Sequence, residues 1–77
     1  MPHVIVKLYS GRSEQQKSRL AEEVAKAVMA VLKCGDESVS VGVEDVAPAD
    51  WADKVYKPDI LAKSEKIYKK PGYDLAD

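Results

Sequence analysis

Hydrophobic and polar residues alternate in two stretches of the chain, and each stretch predicts a β-strand. The first covers residues 3–9, with the sequence HVIVKLY, and places Val4, Val6 and Leu8 on one face. The second covers residues 38–46, with the sequence SVSVGVEDV, and has a valine at every other position from 39 to 43. Such alternation of β-branched and polar residues is typical of strands with one buried face.

Between these two stretches, hydrophobic residues recur at the spacing of an α-helix. Ser13 followed by Gln16 fits a capping box at the start of a helix, and Gly35 suits the left-handed conformation that follows many helices. Strand, helix and strand in this order predict a βαβ unit with parallel strands. The predicted apolar face of the helix consists of Leu20, Val24, Ala27, Val28, Val31 and Leu32.

The chain after the second strand predicts more helix. A short helix from Trp51 to Tyr56 should stop at Lys57, because proline disfavours helical backbone in the residue before it. Pro58 can start the next helix, which we expect to run to about Lys70. The predicted fold class is therefore α/β (α+β). It comprises a βαβ unit with an additional C-terminal helix, in a single domain spanning 1–77.

The size of the chain favours assembly with a second copy. A two-stranded sheet is only marginally stable alone, and a chain of 77 residues buries only about 60% of the surface that its unfolded form exposes. Cys34 has no second cysteine for a disulfide, and His3 is the only histidine, so a four-ligand zinc site is excluded. We therefore expect a homodimer in which the sheet is extended to at least four strands.

Charge and hydropathy exclude several classes of partner. The chain has 12 basic and 13 acidic residues and a net charge of −1, which gives no electrostatic footprint for nucleic acid. It contains no signal peptide and no apolar run long enough to cross a membrane. We expect neither nucleic acid nor membrane as a partner, and a cytoplasmic location.

Candidate chemistry begins at Pro2, which stands directly after Met1 and directly before the first strand. An initiator methionine is usually removed when the next residue is small, and we expect its removal here. Pro2 would then carry a free secondary amine on a rigid ring, anchored by a strand where most termini fray. Proline is also a common second residue, so this feature alone does not decide a function.

A second motif connects Pro2 with a known family. Residues 11–17, GRSEQQK, follow Pro2 by nine residues, and together they resemble the 4-oxalocrotonate tautomerase family. The resemblance continues through both strands to Trp51, and the tail KKPGY at 69–73 looks like that of the PptA-like subgroup of small bacterial tautomerases. It implies the tautomerase fold and a cofactor-independent isomerase acting on a small enol or keto acid.

The resemblance also assigns roles to residues. It implies that Pro2 is the catalytic general base, whose pKa an apolar pocket or a nearby cation must bring near the working pH. It implies that Arg12 binds the substrate carboxylate, which suits its planar guanidinium, and that Trp51 forms an aromatic pocket wall. Without it, Arg12 would be an exposed turn residue and Trp51 an ordinary packing or interface residue. No metal and no cofactor are implied.

One position departs from the family pattern. The best-known member has a second arginine in the second strand, where this chain has Ser40. Serine offers a hydrogen bond but no charge, which favours a monoacid enol of the phenylenolpyruvate type over a dicarboxylate dienol. His3 neighbours Pro2 but points to the opposite strand face, so we expect it to be structural.

Two other functions and one other assembly remain open. Related hydratases, dehalogenases and decarboxylases use the proline as an acid, and a non-catalytic oligomer of the same fold is also conceivable. Short family members form hexamers, as trimers of dimers. The additional segment after Trp51 favours a dimer, with the hexamer as the alternative.

Overall fold

The computed structural model describes residues 1–75 as two compact units, Met1–Asp45 and a second unit that begins at Val46. Strand β1, helix α1 and strand β2 cover His3–Tyr9, Glu14–Leu32 and Ser40–Val46. A 3₁₀ turn at Asp36–Ser38 precedes β2. The second unit contains a 3₁₀ turn, a π-helix and another 3₁₀ turn, at Pro48–Asp50, Ala52–Leu61 and Ser64–Lys66.

The two strands pair side by side in a two-stranded sheet. The backbone N–H of Ser40, the first residue of β2, donates to the carbonyl oxygen of Pro2 over 3.2 Å. The two strands therefore start at the same end of the sheet, as parallel strands do. With α1 as the crossover, this confirms the predicted βαβ unit. The predicted second strand starts two residues later than expected, because Ser38 still belongs to the 3₁₀ turn.

The sheet has one covered and one open face. Ala25 and Met29 of α1 line a shared surface depression with Val39 and Val41, which places the valine face of the sheet towards the helix. On the opposite face, Ile5 is 52% exposed. An exposed apolar side chain on a sheet face marks a surface that a second copy of the chain can cover.

Helix α1 buries less of its apolar surface than the sequence predicted. Val24 and Val28 are half-buried, as expected. Val31 and Leu32, however, are 76% and 60% exposed. The side of α1 that faces the sheet is instead completed by small or flexible residues, Ala21 and Met29, which are half-buried. The last turn of α1 therefore presents large apolar side chains to solvent.

The start of α1 agrees with the prediction, and its end does not. The capping box is confirmed, since the Gln16 N–H donates to Ser13 Oγ over 3.1 Å and the Ser13 N–H donates to Gln16 Oε1 over 3.0 Å. The prediction for Gly35 is wrong. Lys33 adopts the left-handed conformation, with φ 57° and ψ 48°, whereas Gly35 is extended with φ −92°. The helix ends at Leu32, three residues before the glycine that local chemistry favours.

The second unit differs most from its prediction. The π-helix Ala52–Leu61 continues through Pro58, where we predicted a break. A proline in an α-helix clashes with the carbonyl four residues before it, and the wider π-turn relieves that conflict. The bond from the Ala62 N–H to the Lys57 carbonyl oxygen, at 2.9 Å, has this wider spacing. The predicted helix to Lys70 is also wrong, because only the short turn Ser64–Lys66 follows.

Aromatic contacts hold the last part of this unit against the π-helix. The Tyr56 hydroxyl donates to Asp74 Oδ1 over 3.1 Å, and the rings of Tyr56 and Tyr73 lie 5.7 Å apart. Burial, followed by the hydrogen bond to Asp74, raises the pKa of Tyr56 above its ordinary value. In residues 1–75 only Val55 and Tyr56 are buried, with 4% and 6% of their surface exposed. One chain therefore has a very small core of its own.

None of the helices within the described residues is long and apolar enough to cross a membrane. The same part of the chain holds no group of three or more His, Cys, Asp or Glu side chains arranged to bind a metal ion.

Candidate functional site

The structure places Pro2 at the start of β1, half-buried, with its carbonyl oxygen bonded to the Ser40 N–H. This hydrogen bond fixes the backbone of Pro2 to the neighbouring strand. Met1 is fully exposed, so its removal would sacrifice no buried contact. Once Met1 is removed, the terminal amine of Pro2 would therefore be held at a fixed position at the start of β1.

Ser40 is joined to a residue that we predicted to be structural. The Nδ1 atom of His3 lies 2.6 Å from Ser40 Oγ, and both side chains are exposed. His3 and Ser40 each lie on the strand face that points away from the valines, and the parallel register brings the two residues together. The strand pattern could have suggested this pair, had the alignment of the two strands been known.

Arg12 lies beyond the other end of β1. Gly11 shapes the turn before it with a φ of 117°, a conformation that side chains with a Cβ rarely adopt. Beside Arg12 is a surface cleft of about 230 Å³, whose apolar walls are Leu8 and Leu20. Its polar lining includes Gln16, which also caps α1. The cleft joins apolar surface to a guanidinium group.

Two cations stand at this cleft, but only one has a carboxylate partner among the described residues. The ammonium of Lys17 lies 2.9 Å from Asp45 Oδ2 and 3.0 Å from Glu14 Oε1. The hydrogen bond to Asp45, with that to Glu14, raises the pKa of Lys17 above its ordinary value of 10.5. Arg12 forms no ion pair with residues 1–75. Its charge is therefore available to an external anion.

Pro2 and Arg12, which both belong to the first unit, do not meet within one chain. From Pro2 to Tyr9 there are seven strand steps of about 3.3 Å, so the two ends of β1 lie about 23 Å apart. Arg12 follows the far end and cannot reach the Pro2 nitrogen. Trp51 is half-buried in the second unit, where its indole N–H donates to the Tyr73 hydroxyl over 3.1 Å. The structure thus groups Pro2, His3 and Ser40 at one end of the sheet.

Comparisons of the sequence agree on one family. The family described as "Tautomerase enzyme" matches residues 2–55. A "Probable tautomerase" of Xylella fastidiosa (strain 9a5c) is 48% identical over 73 residues, which cover 95% of this chain and 89% of the relative. "Tautomerase PptA" of Enterobacter sp. (strain 638) is 34% identical over 97% of this chain and all of the relative.

A solved structure resembles the fold. TomN, described as a 4-oxalocrotonate tautomerase homologue in the tomaymycin biosynthetic pathway, matches with a TM-score of 0.63 and 36% sequence identity. The match covers 65% of this chain and 77% of TomN. It supports the assignment of this chain to the same fold.

Proposed function

This chain belongs to the tautomerase family, which makes it an isomerase, and from this premise we propose that it is a cofactor-independent enol–keto tautomerase with Pro2 as its general base. The observation that carries the proposal is the position of Pro2. The family match begins at this residue, and the Ser40 N–H ties its carbonyl oxygen to the sheet. After removal of Met1, a secondary amine would stand at a fixed point of the fold.

The proposed reaction moves one proton and needs no other reagent. The neutral amine of Pro2 accepts the proton of the enol hydroxyl, which leaves an enolate whose charge is shared between oxygen and carbon. The prolinium ion then gives the proton to that carbon, and the keto acid leaves with the amine neutral again. The same group acts as base and then as acid, so its pKa must lie near the working pH.

Arg12 is the proposed partner for the substrate carboxylate. It lies on an apolar cleft and has no ion pair within the described chain, whereas the neighbouring Lys17 is neutralised by two carboxylates. A planar guanidinium binds a carboxylate with two parallel hydrogen bonds. Arg12 lines its cleft together with Leu8, which is six strand steps or about 20 Å from Pro2, so we propose that a second copy supplies Arg12 to the site.

The substrate that fits best is a monoacid enol of the phenylenolpyruvate type. Beside Pro2 the chain offers the hydroxyl of Ser40 and the imidazole of His3 in place of a second arginine. One fixed positive charge suits one carboxylate. The proposed role of Trp51 as an aromatic wall would match the ring of such a substrate, since apolar and aromatic side chains dominate small-molecule sites.

The decisive experiment removes the proline from the processed protein. Mass spectrometry first verifies that Met1 is absent, and ketonisation of phenylenolpyruvate is then followed by absorbance, with a dicarboxylate dienol for comparison. Pro2→Ala keeps a terminal amine but loses the ring. We expect its kcat/KM to fall at least about a hundredfold, the usual worth of general acid–base catalysis.

A protein with one extra residue ahead of Pro2 is the matched control. It keeps the proline ring and the strand but converts the amine into an amide, which is not basic. It should therefore be as inactive as Pro2→Ala. Full activity of either protein would contradict the proposed role of Pro2.

A further inference from the structure

Two polar side chains meet directly beside Pro2. His3 Nδ1 lies 2.6 Å from Ser40 Oγ, and the Ser40 N–H donates to the Pro2 carbonyl oxygen over 3.2 Å. Both side chains are exposed. The exposed pair therefore lies on the residue next to Pro2 in the chain and on the residue bonded to Pro2 across the sheet.

The direction of the hydrogen bond decides what the pair offers. If Nδ1 accepts, the hydroxyl hydrogen of Ser40 is taken by the imidazole, and only oxygen lone pairs face outward. If Nδ1 carries a hydrogen, the imidazole donates to Oγ, and the Ser40 hydrogen is free for another acceptor. The oxygens of an enolate and of a keto acid are acceptors. The second arrangement is therefore the one that serves such a substrate.

Resting on the proposed tautomerase function, we propose that His3 is a positioning residue that holds Ser40 as a hydrogen-bond donor to the substrate oxygen that becomes negatively charged. That oxygen gives its proton to Pro2, so it must lie close to the residue whose backbone is bonded to Pro2. A donor aimed at charge that develops during the reaction stabilises the transition state more than the bound substrate. The pair thus supplies one directed hydrogen bond without a fixed charge.

Four single variants of the processed protein test this role. Ser40→Ala removes the donor, and His3→Leu removes the group that orients it. His3→Asn keeps a polar atom near the position of Nδ1, whereas His3→Gln places its amide near the position of the other ring nitrogen. In Ser40→Ala we expect kcat for phenylenolpyruvate to fall about ten- to a hundredfold, with KM little changed.

The comparison among the His3 variants tests the positioning role most directly. His3→Leu and His3→Gln should lose as much kcat as Ser40→Ala, and His3→Asn should recover most of it. Because His3 acts through Ser40, the double variant His3→Leu/Ser40→Ala should be no slower than Ser40→Ala alone. Thermal unfolding of each variant is measured alongside, so that a loss of stability is not mistaken for a loss of the positioning role.

Two results would overturn the positioning role: additive losses in the double variant, or equal rates for His3→Asn and His3→Gln. The comparison of His3→Asn with His3→Gln can be made even if His3→Leu fails to fold. In either case the tautomerase function survives as long as the wild type depends on Pro2. If Pro2→Ala is as active as the wild type, both proposals fall together.

Discussion

The ammonium nitrogen of Lys17 lies 2.9 Å from Asp45 Oδ2, although 28 residues separate the two along the chain. Lys17 is in the first turn of α1, and Asp45 is near the end of β2. The side chain of Lys17 is only 16% exposed. The contact therefore joins the start of the crossover helix to the end of the second strand.

The first prediction concerns the pH dependence of this contact. Hydrogen bonding to Asp45 raises the pKa of Lys17 in the folded protein, so the folded state keeps the proton to higher pH than the unfolded chain. The stabilisation is fully present below the ordinary value of 10.5 and is lost as pH rises through the folded pKa. Lys17→Met should therefore unfold at lower denaturant than wild type near neutral pH, and this difference should shrink above pH 10.5.

Lys26→Met is the matched control for that experiment. Lys26 lies on the same helix but is exposed, and its contact with Glu23 is longer, at 3.5 Å. Exposed pairs of this kind contribute little to stability. A loss as large as that of Lys17→Met, or a Lys17→Met effect that does not change with pH, would contradict the assignment.

The elements predicted best are those whose signals are local. The two strands follow from strict alternation, and the start of α1 follows from the Ser13–Gln16 capping box, which involves four consecutive residues. The prediction failed where tertiary structure decides. The helix end at Lys33 ignores the favourable glycine nearby, and the π-helix accommodates Pro58 by widening the turn around it.

In the candidate site, too, local signals were readable from the sequence and contacts between distant residues were not. The motif indicates Pro2 and Arg12 as a pair, but the geometry of one extended strand separates them, which the motif does not reveal. The contact between His3 and Ser40 spans 37 residues and depends on the register of two strands. Alternation assigns each residue to a face of its own strand, and only the paired structure shows which residues are neighbours.

The second prediction uses the unusual end of α1. Lys33 holds a left-handed conformation, which costs residues with a Cβ about 1–2 kcal/mol and glycine nothing. Glycine at position 33 would remove this cost, but part of the resulting stabilisation is offset because glycine is more flexible in the unfolded chain. Lys33→Gly should therefore increase the free energy of unfolding by about 0.5–1 kcal/mol, measured by chemical denaturation.

Gly35→Ala tests the same idea from the other side. Gly35 is extended, so a side chain meets no backbone strain there. An added Cβ would come within 2.6 Å of the Glu37 carboxylate oxygens, so that flexible side chain would have to move. It should not show the loss expected for a glycine that ends a helix in the left-handed conformation. A large loss in Gly35→Ala together with no gain in Lys33→Gly would show that Gly35 ends the helix in solution.

The third prediction concerns the charge of the substrate. Arg12→Ala removes the guanidinium that we propose binds the carboxylate, and hydrogen bonds to charged groups are worth more than neutral ones. We expect KM for an enol acid to rise at least about tenfold. Arg19→Ala, which removes an exposed cation of α1 that pairs with Glu23, should leave KM unchanged. An equal loss with the neutral ester of the same enol would show that Arg12 does not act through the carboxylate.

The fourth prediction is assembly as a homodimer. One chain leaves Ile5 52% and Tyr9 49% exposed on the open sheet face, and Val31 76% exposed on α1. Only two of the described residues are buried, which is little for an independently stable domain. Light scattering of the processed protein should give twice the chain mass of 8.5 kDa. A mass of six chains would establish the hexamer instead, and a monomer would refute both.

If Arg12 reaches Pro2 from a second copy, two inactive variants should complement each other. Pro2→Ala and Arg12→Ala, unfolded and refolded together, form mixed dimers in which one site carries both substitutions and the other carries neither. With random pairing, half of the dimers are mixed, so about a quarter of wild-type activity should return. The separately refolded variants, mixed afterwards on ice, are the control and should stay inactive. If each site used both residues of one chain, every site in the mixture would carry one substitution, and no activity would return.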